Sequence, residues 1–534
     1  MVRGVSDVTD MDMRTRLPDL VGWMAQRRGD GPALTYADST LSYAELWQEC
    51  RAVAGGLREA GVERGDRVAV YLDKRAETIS AILGSSAAGG AFVPVNPLLR
   101  PKQVAHILTD CTAKVLVTSP ERWASLRDDL ATCESVELIV LVGAAPEAGD
   151  RAGYRLLEWD KLRAASPVGV ASEVIDTDMA AILYTSGSTG APKGVVLSHR
   201  NLVAGAQSVA GYLHNSPGDT ILAVLPLSFD AGLSQLTTGF HAGAHVVLMN
   251  YLLPADVVRL CAKHQVTGLT CVPPLWIQLA ERTWPPEATR SLRYFANTGG
   301  RLPKATLDTL RATFPAAAPY LMYGLTEAFR STYLHPAEVD RRPDSIGKAI
   351  PNAEILVVRQ DGSHCAPGEE GELVHRGALV AMGYWNDPER TAARFRPAPG
   401  RQPGLPADEL AVWSGDRVVR DEEGFLYFVG RMDEMIKTSG YRVSPTEIEE
   451  AAYDTGLVRD AVALGRDDPR LGQHIVLVVS PAADETLDPG ALRVRLQARL
   501  PRYMVPAEIV VRGELPRSPN GKFDRTRIRT ELAS

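Results

Sequence analysis

The sequence of 534 residues lacks the features that would assign it to several specialised classes of protein. Its six cysteines are scattered and include no C-x-x-C pair, which disfavours zinc sites and disulfide frameworks and fits a reducing cytoplasm. No run approaches the ~20 apolar residues of a membrane helix, and the N-terminal stretch has no apolar core of a signal peptide. No basic tract stands out and the formal net charge is -7, so nucleic acid is not an expected partner.

What remains is the composition of an ordinary globular protein, with 45% hydrophobic and 23% charged residues. The N-terminal part alternates strand-like and helix-like segments, for example a strand over Arg67–Leu72, a helix over Ala76–Ala88 and a strand over Ala91–Val95. Such alternation predicts a parallel sheet with helical crossovers. Ser42 and Glu45 form the pattern of a capping box and predict the start of another helix.

The pattern of predicted secondary structure changes twice towards the C-terminus. From about Ala353 it shows short alternating strands with turn signals, which predict a β subdomain over about 353–431. After Gly430-Arg431 it predicts a compact α+β unit. We therefore expect an α/β protein with a large N-terminal domain of parallel α/β sheets plus a β subdomain over 1–431, a hinge at 432–434, and a small mobile C-terminal α+β domain over 435–534.

The most informative stretch is Tyr184–Gly194, which reads Y-T-S-G-S-T-G-A-P-K-G. Small residues let backbone N–H groups approach an anion, hydroxyls add donors, and Lys193 adds a positive charge, as a triphosphate requires. A flexible linker is disfavoured because apolar, strand-like runs flank the loop. A Walker A loop is excluded because the G-x-x-x-x-G-K-[ST] spacing is absent.

Further motifs follow in order along the chain. Tyr323-Gly-Leu-Thr-Glu327 comes directly after a predicted strand, and Ser414-Gly-Asp416 carries a carboxylate suited to accepting ribose hydroxyls. Gly430-Arg431-x-Asp433 leads into Lys437–Pro445, and Asn520-Gly521-Lys522 lies near the C-terminus. Asn-Gly is a strong tight-turn signal, so Lys522 is expected at a loop tip.

Together with the phosphate loop, these motifs closely resemble those of the acyl-adenylate-forming superfamily, which includes acyl-CoA synthetases, peptide-synthetase adenylation domains and firefly luciferase. The resemblance covers residues 184 to 525. The N-terminal third fits only through its alternation of predicted strands and helices. It implies that ATP and a carboxylic acid give an acyl-adenylate and pyrophosphate, and that a thiol then takes the acyl group and releases AMP. ATP and Mg²⁺ are the implied cosubstrate and metal.

The resemblance also implies roles for individual residues. Lys522 would stabilise the adenylation transition state, Glu327 would hold Mg²⁺, and Asp433 would be the hinge. Lys437 and Arg431 would complete the catalytic set, and Gly440 would let a pantetheine arm pass close to the backbone. The implied ATP contacts are Thr185, Ser186, Gly187, Ser188, Thr189, Gly190, Lys193, Gly299, Tyr323, Thr326, Asp416 and Arg431.

The acid-binding pocket is assigned by the same resemblance. Asp230 matches the place where peptide-synthetase adenylation domains keep an aspartate for the substrate's amino group, although it could instead cap the following helix. Arg330 could pair bidentately with a second carboxylate of the substrate. The implied pocket comprises Asp230, Ala231, Ser234, Cys271, Ala296, Thr298, Met322, Arg330 and Ser331.

The preferred hypothesis is an amino acid with a second carboxylate, possibly a β-amino acid, transferred to the phosphopantetheine of a stand-alone carrier protein. The alternatives are a CoA ligase for an aliphatic or aromatic acid, and an altered-chemistry or luciferase-like enzyme. The segment around Pro226–Asp230 favours carrier-protein ligases, whereas Ser439–Val443 looks more like acyl-CoA synthetases. A non-catalytic relict is disfavoured because Glu327, Asp416, Arg431 and Lys522 are all intact.

Overall fold

The computed structural model describes residues 14–144, 149–151, 153–185, 192–400, 404, 406, 408–431, 435–482, 487–516 and 523–533. Within these residues the chain forms a large N-terminal domain and a smaller C-terminal domain, built on three sheets. No helix in these ranges is long and apolar enough to cross a membrane.

The first sheet contains 14 strands in the described part of the chain. Its central strands pair in parallel, as the alternation of strands and helices predicts. In spatial order they are Ala353–Val358, Glu370–Gly377, Leu410–Arg420, Leu426–Arg431, Ser345–Ala349, Thr332–Leu334, Ala318–Tyr323, Tyr294–Asn297, Gly268–Cys271, Thr220–Ala223, His245–Leu248, Pro32–Tyr36 and Ser39–Ser42, with Phe395–Pro397 beside Leu410–Arg420.

The predicted β subdomain is therefore continuous with this sheet. Its strands between Ala353 and Arg431 join the rest through Ser345–Ala349, which pairs with Leu426–Arg431 on one side and Thr332–Leu334 on the other. These pairings are antiparallel, so the sheet changes from parallel to antiparallel next to the strand that ends at Tyr323.

The second sheet contains nine strands within the described ranges and is parallel in its centre. Their spatial order is Gly383–Tyr384, Lys193–Ser198, Met179–Thr185, Ala91–Pro94, Arg67–Tyr71, Val115–Thr118, Leu138–Leu141, Tyr154–Glu158 and Gly149–Arg151.

Helices cover the two sheets, and the largest buried cluster contains side chains from both sheets and from these helices, such as Val68, Ile79, Phe240 and Val246. The α-helices of the large domain are Asp19–Arg27, Tyr43–Glu59, Ala76–Ala88, Pro101–Asp110, Pro120–Leu126, Trp159–Arg163, His199–Leu213, Asp230–Ala242, Pro254–His264, Pro273–Ala280, Pro286–Thr289, Lys304–Thr313 and Pro388–Arg394. The helix Tyr43–Glu59 begins with the predicted capping box of Ser42 and Glu45, which is thus confirmed.

The small domain has a five-stranded sheet of Tyr441–Val443, Ile436–Thr438, Gly472–Pro481, Val458–Asp468 and Glu508–Val511. Alternate residues of its strands face opposite sides, as the two-residue period of a strand requires. One side packs on the helices Pro445–Tyr453 and Pro489–Arg499, and the other on Arg525–Ala533.

The predicted fold class is confirmed: a large α/β domain with an attached β region is followed by a small α+β domain. The predicted domain limits stay a prediction, because the hinge at 432–434 lies outside the described residues. Strands that end at Arg431 and begin at Ile436 flank it.

Candidate active site

The phosphate loop joins two antiparallel strands, Met179–Thr185 and Lys193–Ser198, in which Lys193 lies opposite Thr185. The predicted loop residues Ser186, Gly187, Ser188, Thr189 and Gly190 lie outside the described residues. The hydroxyl of Thr185 is buried and has no hydrogen-bond partner among the residues described, so it is available to a ligand.

Lys193 contacts two side chains that are distant in the sequence. Its Nζ donates to Glu327 Oε1 at 2.9 Å and to Tyr384 Oη at 2.5 Å. Tyr384 Oη in turn donates to the same Glu327 oxygen at 2.7 Å. Glu327 is 2% exposed, and Arg394 Nε lies 4.0 Å from it. The arrangement is a buried carboxylate surrounded by cations beside the phosphate loop.

The charges in this cluster decide the protonation of Glu327. Burial would raise its pKa, but Lys193, Arg394 and Arg442 together hold the pKa of Glu327 well below its ordinary value. Burial lowers the pKa of Lys193, and Glu327 opposes that effect. An ionised Glu327 offsets one of the three positive charges, so the cluster keeps a net positive charge that suits phosphate, and its carboxylate can bind a divalent cation.

A sharp turn joins the phosphate side to the acid-binding side. Thr326 begins the short 3-10 helix Thr326–Ala328, and Phe329 follows with a left-handed φ of +54°. The ring of Phe329 is fully buried against Gly205, where an added Cβ would lie 2.6 Å from the ring. Packing of the Phe329 ring holds this strained turn in place. Glu327 therefore contacts Lys193 and Arg330 contacts Asp230, although the two residues are close in sequence.

The predicted nucleotide residues border a cavity of about 880 Å³. Gly299 and Tyr323 line it, and Gly299 has a φ of +77°, which favours glycine. Tyr323 Oη donates to Asp416 Oδ2 at 2.5 Å. Asp416 pairs with Arg431 across neighbouring antiparallel strands. The described residues therefore bring the implied adenosine contacts to one edge of the first sheet.

The residues described fit the implied ATP and Mg²⁺. The cavity can hold a nucleotide, and the hydroxyl of Thr185 and the ammonium of Lys193 are donors for phosphate oxygens. Among the described residues no group of three or more His, Cys, Asp or Glu could hold a metal ion. A hard cation that bridges ATP oxygens needs one carboxylate beside the substrate phosphates, and the ionised Glu327 next to Lys193 could supply it.

Asp230 and Arg330, which the resemblance assigns to the acid-binding pocket, face each other. Arg330 is 3% exposed, and its Nη1 lies 3.5 Å from Asp230 Oδ2. The same Nη1 donates to Thr298 Oγ1 at 3.1 Å. Arg330 Nε is buried with no hydrogen-bond partner within the described ranges. Arg330 thus turns inward, and it retains one donor that a ligand could satisfy.

Asp230 is the first residue of the helix Asp230–Ala242, and Phe229 is the N-cap. No side chain caps this helix by a hydrogen bond from the N-cap position. Burial raises the pKa of Asp230, while Arg330 acts in the opposite direction. The side chain of Asp230 is 15% exposed, so it is not completely removed from water.

The predicted pocket residues lie in three different surroundings. Ala231, Ser234, Met322 and Arg330 line a cavity of only about 20 Å³, together with Thr238 and Thr270. Cys271 and Ala296 are buried in the adjacent parallel strands Gly268–Cys271 and Tyr294–Asn297. Ser331 is fully buried and is hydrogen-bonded to His375 Nδ1 at 2.9 Å, which occupies its hydroxyl.

Sequence reasoning missed several residues that support the site. Tyr384 and Arg394 complete the cluster around Glu327. Lys74 Nζ donates to the carbonyls of Ala223, Val224 and Leu225 at 2.7, 2.8 and 3.0 Å and so holds the segment that leads to Asp230. The available signal for Lys74 was a lysine three residues after the end of a buried strand.

The small domain lies against the acid-binding side of the large domain. Tyr441 packs edge-on against Phe229 with a centroid distance of 5.1 Å. Gly440 approaches so closely that an added Cβ would lie 2.8 Å from Val272. Lys437 lines the nucleotide cavity, and its backbone N–H donates to Gln473 Oε1 at 3.0 Å. Lys522 and Asp433 lie outside the described residues.

Comparison with known proteins gives matches over nearly the whole chain. Residues 22–385 match the family model of the AMP-binding enzymes, and residues 447–522 match the model of the AMP-binding enzyme C-terminal domain. Tyrocidine synthase 3 of Brevibacillus parabrevis is 31% identical over 97% of this chain, which spans only 8% of that protein's length.

The relatives that match along nearly their whole length include the following two. The L-proline–[L-prolyl-carrier protein] ligase of Streptomyces coelicolor is 33% identical and is covered to 93%, as is this chain. The structure of an o-succinylbenzoate CoA synthetase double mutant from Bacillus subtilis, bound with a product analogue, superposes with a TM-score of 0.81. It is 26% identical, over 96% of this chain and 98% of that chain. The chain therefore belongs to the AMP-binding enzymes of the acyl-adenylate-forming superfamily.

Proposed function

We propose that this chain adenylates a small amino acid that carries a second carboxylate, and transfers it to the phosphopantetheine thiol of a carrier protein. The observation that carries the proposal is the contact of Asp230 with Arg330, which lines a small cavity. Buried charges are costly unless they are paired and hydrogen-bonded. A substrate ammonium on Asp230 and a substrate carboxylate on Arg330 Nε would satisfy both groups.

The separation of the two charges supports a particular arrangement of the substrate. Arg330 Nη1 and Asp230 Oδ2 are 3.5 Å apart, so the ammonium and the extra carboxylate should lie on the same or neighbouring carbons. The carboxyl group that is activated would then be the other one. This favours a β-amino acid of the aspartate type, in which the activated carboxyl is one carbon removed from the amino-bearing carbon.

The size of the cavity supports a short substrate. At about 20 Å³ it has room for roughly one water-sized group. Its lining includes the hydroxyls of Ser234 and Thr238. A fatty or aromatic chain would have to displace packed side chains, which is unfavourable.

In the first half-reaction, an oxygen of the substrate carboxylate attacks the α-phosphorus of ATP. The bond from that phosphorus to the bridging oxygen breaks, and pyrophosphate leaves. Charge builds between two anions, so nearby cations lower the barrier. In this proposal Lys193 binds phosphate oxygens and Lys522 acts at the carboxylate and the α-phosphate. Mg²⁺ held by Glu327 would neutralise charge on the phosphates.

In the second half-reaction, a thiol sulfur attacks the carbonyl carbon of the acyl-adenylate. A thioester forms, the thiol loses its proton, and AMP leaves with the former carboxylate oxygen. The whole-length similarity to a carrier-protein ligase supports a carrier thiol as acceptor. The similarity to a CoA synthetase supports CoA, and we retain a CoA ligase as the second candidate.

Substrate-dependent exchange of pyrophosphate into ATP tests the proposal. The panel comprises aspartate, 3-methylaspartate, glutamate, β-alanine, alanine, succinate, benzoate and octanoate. We expect the highest kcat/KM for aspartate-type acids, with succinate testing the need for the amino group. A preference for octanoate or benzoate would refute the amino-acid proposal.

The acceptor is then tested with the best acid and two thiols, CoA and a phosphopantetheine-loaded carrier protein, using mass spectrometry of the thioester. Faster loading of the carrier supports the proposal. Efficient formation of acyl-CoA with no carrier loading would support the CoA ligase.

A further inference from the structure

The strand Tyr294–Asn297 presents side chains to both faces of the first sheet, because successive residues of a strand point to opposite sides. Ala296 packs in the largest buried cluster, and Phe295 packs in a second cluster on the opposite face. Leu321 lies beside Asn297 in the parallel pair of strands and belongs to the same cluster as Phe295. The last residue of the strand, Asn297, therefore lies on the face of Phe295 and Leu321.

The next residue, Thr298, turns to the acid-binding side. Its hydroxyl accepts a hydrogen bond from Arg330 Nη1 at 3.1 Å. Asn297 instead lines the cavity of about 880 Å³, together with Leu321 and Tyr323. The end of this strand thus separates the predicted acid pocket from the nucleotide cavity, and Asn297 is on the nucleotide side.

The side-chain amide of Asn297 is held in one orientation. Asn297 is 2% exposed, and its Nδ2 donates to the carbonyl oxygen of Gly300 at 2.8 Å. A flipped amide would place its oxygen against that carbonyl, and two acceptors repel each other. The oxygen Oδ1 is therefore the atom left for another partner. It is buried and has no hydrogen-bond partner in the part of the chain that the structure describes.

The position of Oδ1 indicates which part of a nucleotide it meets. A buried amide oxygen without a partner is unfavourable, and it can accept hydrogen bonds only, so it needs a donor. Asp416, the implied ribose contact, accepts from Tyr323 Oη at 2.5 Å. Tyr323 lies two residues along the strand from Leu321, the neighbour of Asn297. A ribose at Asp416 therefore directs its base past Tyr323 towards Asn297.

We propose that Asn297 Oδ1 accepts a hydrogen bond from the 6-amino group of adenine and makes the site selective for ATP over nucleotides of 6-oxo purines. Adenine carries an N–H donor at this position, whereas guanine carries an oxygen acceptor. An acceptor opposite Oδ1 is repelled, and the amide cannot turn its Nδ2 to the base without losing the bond to Gly300. Selectivity thus combines an attractive and a repulsive contact.

Calorimetric titration of the full chain with three nucleotides tests the proposal, in the presence of Mg²⁺ and without acid or thiol. The ligands are ATP, purine riboside triphosphate, which lacks only the 6-amino group, and inosine triphosphate, which has a 6-oxo group. We expect the wild type to bind ATP about tenfold more tightly than purine riboside triphosphate, as for one lost hydrogen bond, and to bind inosine triphosphate more weakly still. Equal affinity for ATP and either analogue would overturn the proposal.

Asn297→Leu removes the acceptor and keeps a side chain of similar size. In this variant the Kd values for ATP and purine riboside triphosphate should agree within about twofold, which completes a double-mutant cycle between protein and base. Inosine triphosphate should then bind as well as purine riboside triphosphate. Asn297→Ala provides the same comparison if the leucine variant does not fold. A tenfold preference for ATP that persists in a folded variant would contradict the contact.

Asn215→Leu is the matched control. Asn215 also has a buried amide oxygen without a partner among the described residues, and its Nδ2 donates to Tyr294 Oη at 3.3 Å, from the residue that begins the strand ending at Asn297. This variant should retain the preference for ATP. Loss of the preference in both asparagine variants would indicate a general disturbance of the domain and would contradict a direct contact. Since no acid or thiol is present, the outcome is independent of the proposed acid and acceptor.

Discussion

Lys193 and Glu327 are 134 positions apart in the chain, and they form an ion pair with an Nζ–Oε1 distance of 2.9 Å. Glu327 is 2% exposed and Lys193 12%, so both charges are largely removed from water. The pair connects the second sheet, which carries the phosphate loop, to the turn after the strand Ala318–Tyr323 in the first sheet. The ion pair therefore contributes to the stability of the domain and also fixes both side chains beside the phosphate loop.

The first prediction concerns Glu327→Gln. Removing one partner of a buried pair should lower the free energy of unfolding by about 3 kcal/mol near neutral pH. The contribution is present above pH 4.5 and is lost as the pH falls through the lowered pKa of Glu327, so the difference from the wild type should shrink at acid pH. Chemical denaturation at several pH values measures it.

Adenylation by the same variant should fall by about 10²-fold, because one charge-stabilising group is lost. Asp219→Asn is a suitable control, since Asp219 is 3% exposed and pairs with Arg293 at 3.0 Å in a different part of the domain. We expect it to lower stability without lowering pyrophosphate exchange in folded protein. A similar loss of exchange in both variants would argue against a special role of Glu327.

A second prediction concerns Lys522, which the sequence predicts at the tip of an Asn-Gly turn. Lys522→Ala should lower adenylation by about 10²-fold and leave the unfolding transition almost unchanged. The control is Lys304→Ala, which removes a lysine whose side chain is 66% exposed. Pyrophosphate exchange at the wild-type rate in Lys522→Ala would end the assignment.

A third prediction concerns Asp433, the predicted hinge residue. Asp433→Pro fixes the local φ and should restrict rotation of the small domain. We expect pyrophosphate exchange to be retained and thioester formation to fall. The hinge assignment would be abandoned if both half-reactions fell equally or if thioester formation were unaffected.

The fourth prediction concerns Lys74, which is 7% exposed. Burial lowers the pKa of Lys74 from 10.5 to about 7, so the unfolded chain holds this proton more tightly than the folded chain does. The free energy of unfolding should therefore rise by about 1 kcal/mol per pH unit between about pH 7 and pH 10. Lys74→Met should lose this dependence, and parallel pH profiles would contradict it.

The motif-bearing parts of the site could be predicted because their signals are local. The helix Ala76–Ala88 has the predicted bounds, and the strands on both sides of the phosphate loop are confirmed. Glycine, proline and hydroxyl residues punctuate the chain in ways that constrain the backbone directly. The strand Leu138–Leu141 was missed, since it is a short apolar run without clear turn signals.

Support residues could not be predicted in the same way. Tyr384 meets Lys193 across 191 positions, and Lys74 meets the carbonyl of Leu225 across 151. Neither contact leaves a periodic or local pattern in the sequence. The tie between Ser331 and His375 was invisible for the same reason, and it occupies a hydroxyl that the resemblance assigned to the pocket.

The last prediction concerns the recognition of charged groups of the substrate by Asp230 and Arg330. Removing either partner of a buried charge pair commonly costs ~2–5 kcal/mol, enough to abolish most turnover of the true substrate. Asp230→Ala should strongly lower kcat/KM for amino acids and leave kcat/KM for their des-amino analogues almost unchanged. Arg330→Ala should relax the preference towards acids with neutral side groups. The measurement is kcat/KM for aspartate, succinate, alanine and octanoate in the wild type and both variants.

Arg293→Ala provides the control, because it breaks another ion pair of the large domain, with the buried Asp219. It should lower stability and leave the order of substrates unchanged. The pairing of Asp230 with Arg330 at 3.5 Å also allows a different outcome, in which the two charges neutralise each other and the substrate is neutral. In that case both variants would lose activity with all acids alike. A wild-type enzyme that prefers octanoate, with both variants indifferent, would instead support the CoA ligase.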